Sequence, residues 1–175
     1  MKYITDNSII LSREELSSPE EITNEIPLDK ESSKLIFGAR RSISQILHRQ
    51  DDRLVVVVGP CSIHDPKSAM EYALHLKEFS ASVENELMIV MRVYFEKPRT
   101  TIGWKGLIND PRIDNSFKIN EGLRVSRKLL KDIADLGMPT GTEFLDLISP
   151  QYVSDLVSWG AIGARTAESQ VHREL

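Results

Sequence analysis

Cys61 and His64 sit just beyond a run of valines, and Arg92, Lys97, Arg99 and Lys105 place four cations within one short stretch whose only acid is Glu96. Glu143 and Arg165 follow two later apolar segments. Guanidinium and ammonium groups at that density suit carboxylates and phosphates. A thiol becomes a nucleophile or a metal ligand once it loses its proton. Each residue also has a plainer reading. A lone cysteine beside valines is at home as an inert core residue, and Lys97 and Arg99 taken singly are ordinary solvated charges. Glu143 could simply pair with an arginine, and Arg165 could be a surface group at a helix start. Trp104, between Gly103 and Lys105, could pack a loop, and His64 could neighbour a cap at Asp65.

These residues need elements to hold them. Leu54–Val58 is an unbroken β-branched run, the pattern of a strand buried on both faces of a parallel sheet. Asp65-Pro66 reads as an N-cap with proline at the first helical position, followed by Ala69, Tyr72, Ala73, Leu76 and Phe79 at helical spacing. A second strand is expected over 87–93, then a long loop from Lys97 to Ile119 of the kind that carries function. Asn120 is expected to cap the next helix, which Gly137 and Pro139 stop. A third strand near 140–143, a helix started by Ser149-Pro150, a fourth strand over 161–164 and a final helix complete the pattern. The order β-α-β-α-β-α-β-(α) demands a parallel sheet with right-handed crossovers. Gly59-Pro60-Cys61-Ser62-Ile63-His64-Asp65 after the first strand is no glycine-rich dinucleotide turn, so a β/α barrel fits better than a doubly wound sheet. A full barrel needs about 250 residues and eight strands. Four strands make half of one.

The sequence divides into an arm over 1–30, a helix over 31–53 with Asp29 near its start, and the first half of a barrel over 54–175. The chain has 175 residues, 41% of them apolar, and a net charge of −4. The arm's three cations and seven acids account for that net charge. Such a segment reads as an extension outside the main core. The mild acidity argues against a nucleic-acid binder held by phosphate neutralisation. No apolar run is long enough for a membrane span, and the N-terminus has no apolar signal region, so the expected location is the cytoplasm. One cysteine, Cys61, forms no internal disulfide.

Three motifs carry a family resemblance. Gly59 to Asp65, then Met91-Arg92-Val93-Tyr94-Phe95-Glu96-Lys97-Pro98-Arg99-Thr100-Thr101-Ile102-Gly103-Trp104-Lys105-Gly106-Leu107, then Gly160-Ala161-Ile162-Gly163-Ala164-Arg165-Thr166 resemble 3-deoxy-D-arabino-heptulosonate 7-phosphate (DAHP) synthase. The resemblance is to the bacterial aromatic-amino-acid-regulated type, the first enzyme of the shikimate pathway, and it extends along essentially the whole chain. It implies a (β/α)8 TIM barrel, of which about four βα units are present here behind an N-terminal helical extension. It implies an aldol-type condensation of phosphoenolpyruvate with erythrose 4-phosphate, releasing phosphate and assisted by a divalent metal, manganese, iron, cobalt or zinc. By matching motif, Cys61 would be a metal ligand. Arg92, Lys97, Lys105, Glu143, Ala164 and Arg165 would line the phosphoenolpyruvate site, Pro98, Arg99 and Thr100 would hold the erythrose 4-phosphate, and Lys97 would donate a proton.

The family's other metal ligands, a His, a Glu and an Asp, lie in a second half, so this polypeptide alone is expected to be inactive. The resemblance also implies feedback by an aromatic amino acid, phenylalanine or tyrosine ahead of tryptophan, bound near Asp6, Phe144, Leu147, Pro150 and Gln151. It implies a homodimer or homotetramer at full length. The alternative is a non-catalytic truncated product that binds anions or joins full-length subunits. The stop inside the last helix fits that reading or an incomplete sequence. A Schiff-base aldolase using Lys97 is a third reading.

Overall fold

The computed structural model describes residues 6–7, 10 and 12–174. Four strands, β1 (Leu54–Val58), β2 (Leu87–Arg92), β3 (Thr140–Phe144) and β4 (Trp159–Ile162), form one parallel sheet in sequential order. Sequential order leaves no point at which the strand order reverses, the mark of a doubly wound sheet; it is the order of a β/α barrel. Because all four strands run the same way, Val58, Arg92, Phe144 and Ile162 finish at one end of the sheet, and the motif residues are delivered there.

Helices α1 (Pro19–Glu25), α2 (Lys30–Leu47), α3 (Pro66–Ser82), α4 (Ile119–Asp135), α5 (Pro150–Val153) and α6 (Gln170–Arg173) connect and cover the strands. The Asp29 carboxylate accepts from the Ser32 N–H at 2.8 Å to start α2. Asp65 accepts from Lys67 and Ser68 ahead of Pro66 in α3, as expected of an N-cap with proline behind it. Leu129, Leu130 and Ile133 of α4 pack with Ala69 and Ala73 of α3 and with Ile89 and Met91 of β2 in one apolar core.

Four expectations need correction. β1 is not buried on both faces: Leu54, Val57 and Val58 are exposed, because β1 lies at the sheet edge with β2 as its one strand partner. It is β2, between two strands, whose Ile89, Val90 and Met91 are buried. Asn120 does not cap α4. Lys118 holds the cap position without a side-chain bond, and Asn120, inside the helix, accepts from Ser17 N–H at 2.8 Å and donates to Glu15 O at 3.0 Å.

Nor does the front segment lie wholly outside the core, since Ile22 of α1 is fully buried. Its acids meet a counter-charge: Arg124 pairs with Glu21 at 3.2 Å and Glu25 at 2.6 Å. Finally, Ser149 precedes Pro150 without capping α5, because its hydroxyl is engaged elsewhere. The α5 helix is correspondingly short and passes into a 3-10 turn over Ser154–Leu156.

Candidate active site

Cys61 lies exposed just beyond β1. Lys97 donates to its Sγ at 3.0 Å, and the Arg92 guanidinium lies 4.0 Å from the sulfur and donates to the Cys61 carbonyl at 3.3 Å. The Lys97 hydrogen bond and charge, with Arg92 adding to them, hold the Cys61 thiol below its ordinary range. That favours the thiolate, the form that ligates or attacks. Arg92 emerges from β2, and its guanidinium stacks 4.2 Å from the Tyr94 ring centroid. Its Nε is buried without a protein partner, a donor left free for an anion.

The loop after β2 is folded back on itself. Lys97 N–H donates to Lys105 O at 3.0 Å, Leu107 N–H donates to Phe95 O at 2.6 Å, and Glu96 pairs with Gly106 in an antiparallel bridge. Gly106 has φ +108°, and a Cβ there would collide with the Phe95 carbonyl, so the fold-back requires glycine. The Trp104 indole donates to Asp110 O at 2.8 Å and packs against the core, which makes it a brace of the loop. Lys105 and Arg99 are drawn together by a 3.4 Å bond from Nζ to the Arg99 carbonyl.

The fold-back and the ends of β3 and β4 enclose a cavity of about 650 Å³. Lys97, Pro98, Arg99, Lys105, Glu143, Ala164 and Arg165 all line it. Arg165 donates to Pro98 O at 3.3 Å, closing β4 onto the loop. Ala164 follows β4 in a short 3-10 turn instead of ending the strand. Lys97 joins Cys61 to this wall and Arg92 bonds Cys61 in turn, whereas Thr100 is exposed and not among the lining residues.

The sequence reading did not single out Asn109, Leu145, Gly163 or Thr166 as cavity residues, and it noted Glu96 only as the lone acid among cations. Thr166 and Gly163 stand inside a quoted motif, which was signal enough. Asn109 carried none. Glu96 is pushed up to about 7, first by burial, then by the Asp146 charge. His64 lies away from this cavity, in a separate recess with Asp65 and Tyr72.

The family model for the DAHP synthetase I family matches residues 23–175. The chain belongs to the DAHP synthetase I family. It is 58% identical over 175 residues to the Phe-sensitive phospho-2-dehydro-3-deoxyheptonate aldolase of Escherichia coli K12, covering all of this chain and 50% of that protein. It is 53% identical over 173 residues to the Tyr-sensitive one of the same organism, covering 99% of this chain and 47% of that protein. A solved phospho-2-dehydro-3-deoxyheptonate aldolase from Francisella tularensis SCHU S4 superposes with a TM-score of 0.90 at 56% identity, over 94% of this chain and 48% of that one. The chain thus spans about half the length of these relatives.

All the cavity-lining residues, Glu96 to Thr166, fall within the stretch matched to the DAHP synthetase I family. Among the described residues, Cys61 is the one donor that the resemblance implies for a divalent metal. Cys61 offers a lowered-pKa thiol, but among the described residues no three His, Cys, Asp or Glu side chains gather, so a complete ligand set is not built here.

The residues tied by resemblance to an effector are Asp6, Phe144, Leu147, Pro150 and Gln151. Phe144 lines a recess with Arg40, Val157 and Gly160 at the β4 edge. Pro150 is buried, Leu147 and Gln151 are on the surface, and Asp6 bonds Asn7 at 3.0 Å. No helix among the described residues is long and apolar enough to cross a membrane.

Proposed function

We propose that this site binds phosphoenolpyruvate and serves the condensation of that substrate with erythrose 4-phosphate and water to give DAHP and phosphate. The observation that carries the reading is the wall of Lys97, Arg99, Lys105 and Arg165 around one cavity at the C-terminal strand ends, with the free Arg92 Nε beside it. Two multiply charged substrates need that many cations, and membership of the DAHP synthetase I family supports assigning phosphoenolpyruvate and erythrose 4-phosphate to them.

Arg92, Lys105 and Arg165 hold the carboxylate and phosphate of phosphoenolpyruvate, and the backbone N–H of Ala164 offers a further donor. Arg99, with Pro98 and Thr100, takes the phosphate end of the aldose. In the reaction a carbon–carbon bond forms between the enol CH2 carbon and the aldehyde carbon, water supplies the oxygen at the enol C2, and phosphate leaves. The aldehyde oxygen gains a proton, and Lys97 is placed to give it. The fixed cations favour negative charge as it moves onto the departing phosphate. Cys61 would hold a divalent metal of the manganese, iron, cobalt or zinc class, which polarises the aldehyde when bound. The other ligands would have to come from outside the described residues. A Schiff base on Lys97 fits less well, because that chemistry needs a neutral amine and this one donates to a thiol that its charge helps to ionise.

We further propose that the effector is phenylalanine or tyrosine, on the strength of the Phe-sensitive and Tyr-sensitive relatives, and that the full-length assembly is a homodimer or homotetramer. The experiment that tests the substrate reading is calorimetric titration of phosphoenolpyruvate and of erythrose 4-phosphate against the chain. Lys105→Ala and Arg165→Ala should weaken phosphoenolpyruvate, and Arg99→Ala should weaken the aldose phosphate. Equal loss of both ligands in every variant would contradict the division of labour.

A further inference from the structure

Gly163 is a glycine with no conformational reason to be one. Its φ of −64° and ψ of 149° are extended values that any residue adopts. What a side chain there would lack is room. A Cβ on Gly163 would stand 2.6 Å from Glu143 Oε1 and 3.5 Å from Leu145 Cδ2. The strand register explains the approach. Glu143 pairs with Ala161 across β3 and β4, so Ala161 and Gly163 share its face, with Gly163 one step further on, just beyond the end of β4. Two small residues on that face leave a slot, and the long Glu143 side chain leans along it until its carboxylate reaches Gly163. Glu143 is half-buried there. Among the described residues its carboxylate has no ion-pair partner, although Lys97, Arg99, Lys105 and Arg165 line the same cavity.

We infer that Gly163 is a positioning residue: its missing Cβ makes the slot that holds the Glu143 carboxylate aside from the space the cations offer to an anion. The inference rests on the anion-site reading above. A carboxylate loose among those cations is a rival to any anionic ligand, because it pairs with the same guanidinium and ammonium groups. Held against Gly163, it leaves them free. An alanine at 163 fills the slot. The atom in the way is the far end of a flexible side chain, so the backbone over 163–166 keeps its course and Glu143 swings instead. The open side of the slot is the cavity, which Glu143 and Gly163 both line. The displaced carboxylate therefore moves towards the cations and cancels charge that the anion needs.

The test is a double-mutant cycle on the full chain, with Gly163→Ala made in wild type and in Glu143→Ala, read by thermal unfolding without ligand and by calorimetric titration of sulfate. In wild type, Gly163→Ala should leave Tm level or lower it and weaken sulfate about tenfold, the size of one charge-assisted contact. In Glu143→Ala the slot is empty. There the same substitution should raise Tm by about 1–3 °C, as expected where the backbone accepts alanine without strain, and change sulfate affinity less than about twofold. In Glu143→Gln, whose amide is as long as the acid but uncharged, Gly163→Ala should keep its thermal effect and lose its effect on sulfate. Equal shifts in wild type and in Glu143→Ala, whether in Tm or in sulfate affinity, overturn the inference. A Gly163→Ala variant that fails to fold overturns it too, since the obstacle would then be backbone and not the Glu143 side chain. Failure of wild type to bind sulfate, with the thermal cycle as expected, would sink the anion-site reading and leave the slot standing.

Discussion

The ammonium of Lys97 donates to the sulfur of Cys61 at 3.0 Å, joining the loop after β2 to the end of β1. Thirty-six residues separate the two in sequence, and the parallel pairing of β1 with β2 from Leu54↔Leu87 to Val58↔Met91 is what brings them together. The contact gives the thiol a cationic neighbour and gives the lysine a fixed direction.

It follows that Cys61 reacts faster than an ordinary cysteine. Alkylation by iodoacetamide, followed against pH, should show a midpoint below the usual thiol value of 9.0. Lys97→Met should raise that midpoint and slow alkylation at pH 7 by about three- to tenfold. An unchanged profile in Lys97→Met would mean that Arg92 or the backbone, not Lys97, governs the thiol.

Glu96 makes stability depend on pH in the direction opposite to most acids. Its carboxyl titrates at about 7 in the fold against 4.5 in the unfolded chain, so between those values the folded state holds the extra proton. Stability from this group is therefore intact below about 4.5, falls as pH rises towards 7, and stays low above it. Urea denaturation of Glu96→Gln should show a gain over wild type that is small at pH 4.5 and largest above pH 7. A gain independent of pH would place the effect in packing instead of charge.

Arg127 should be among the costliest residues to truncate. It is fully buried on α4, and its guanidinium donates to Asp155 at 2.6 and 2.8 Å, to Tyr152 O at 2.7 Å and to Ile26 O at 2.9 Å. Removing it leaves two carbonyls without their donor, while the Asp155 carboxylate, 39% exposed, turns to water, a loss of about 1–3 kcal/mol. Chemical denaturation of Arg127→Ala should show that loss together with release of the front segment, read as faster proteolysis before residue 26. A loss below about 1 kcal/mol would make the network ornamental.

Incubated with both substrates and manganese, the 175-residue chain should release no phosphate above background. Cys61 is a single donor, and a lone thiolate does not select a divalent ion. Phosphate release that requires both substrates would contradict this.

Much of the architecture was legible because it is written in local patterns. The β-branched and apolar runs marked β1 and β2, and Asp65-Pro66 marked the start of α3, each a signal contained within a few residues. The four-strand parallel order followed from the alternation of those runs with helical spacing. What the sequence hid were long-range partnerships. Nothing local says that β1 will lie at an edge with Val57 and Val58 exposed. Asn120 has the chemistry of a cap, and only the docking of Ser17 and Glu15 against it draws its side chain away.

The same holds for the site. The spacing of Arg92, Lys97, Arg99 and Lys105 marks a cluster of cations in the sequence, and Glu143 and Arg165 line the same cavity as Lys97, Arg99 and Lys105 because both follow strands. Ser149 was misjudged as a cap because its partner, Glu96, is 53 residues away. Asn109 lies in a loop whose path is set by the Gly106 turn and the Trp104 brace, so its place in the cavity follows from tertiary structure alone.

The central claim is that the cations at the C-terminal strand ends form one binding site for phosphoenolpyruvate. Isothermal titration of phosphoenolpyruvate into the chain at low and high salt, repeated with Arg165→Ala, tests it most directly. The account predicts saturable binding at one site, weaker at high salt, and reduced at least about tenfold in Arg165→Ala, as expected for loss of a charge-assisted contact. Binding that does not saturate, or that is indifferent to Arg165, would contradict it.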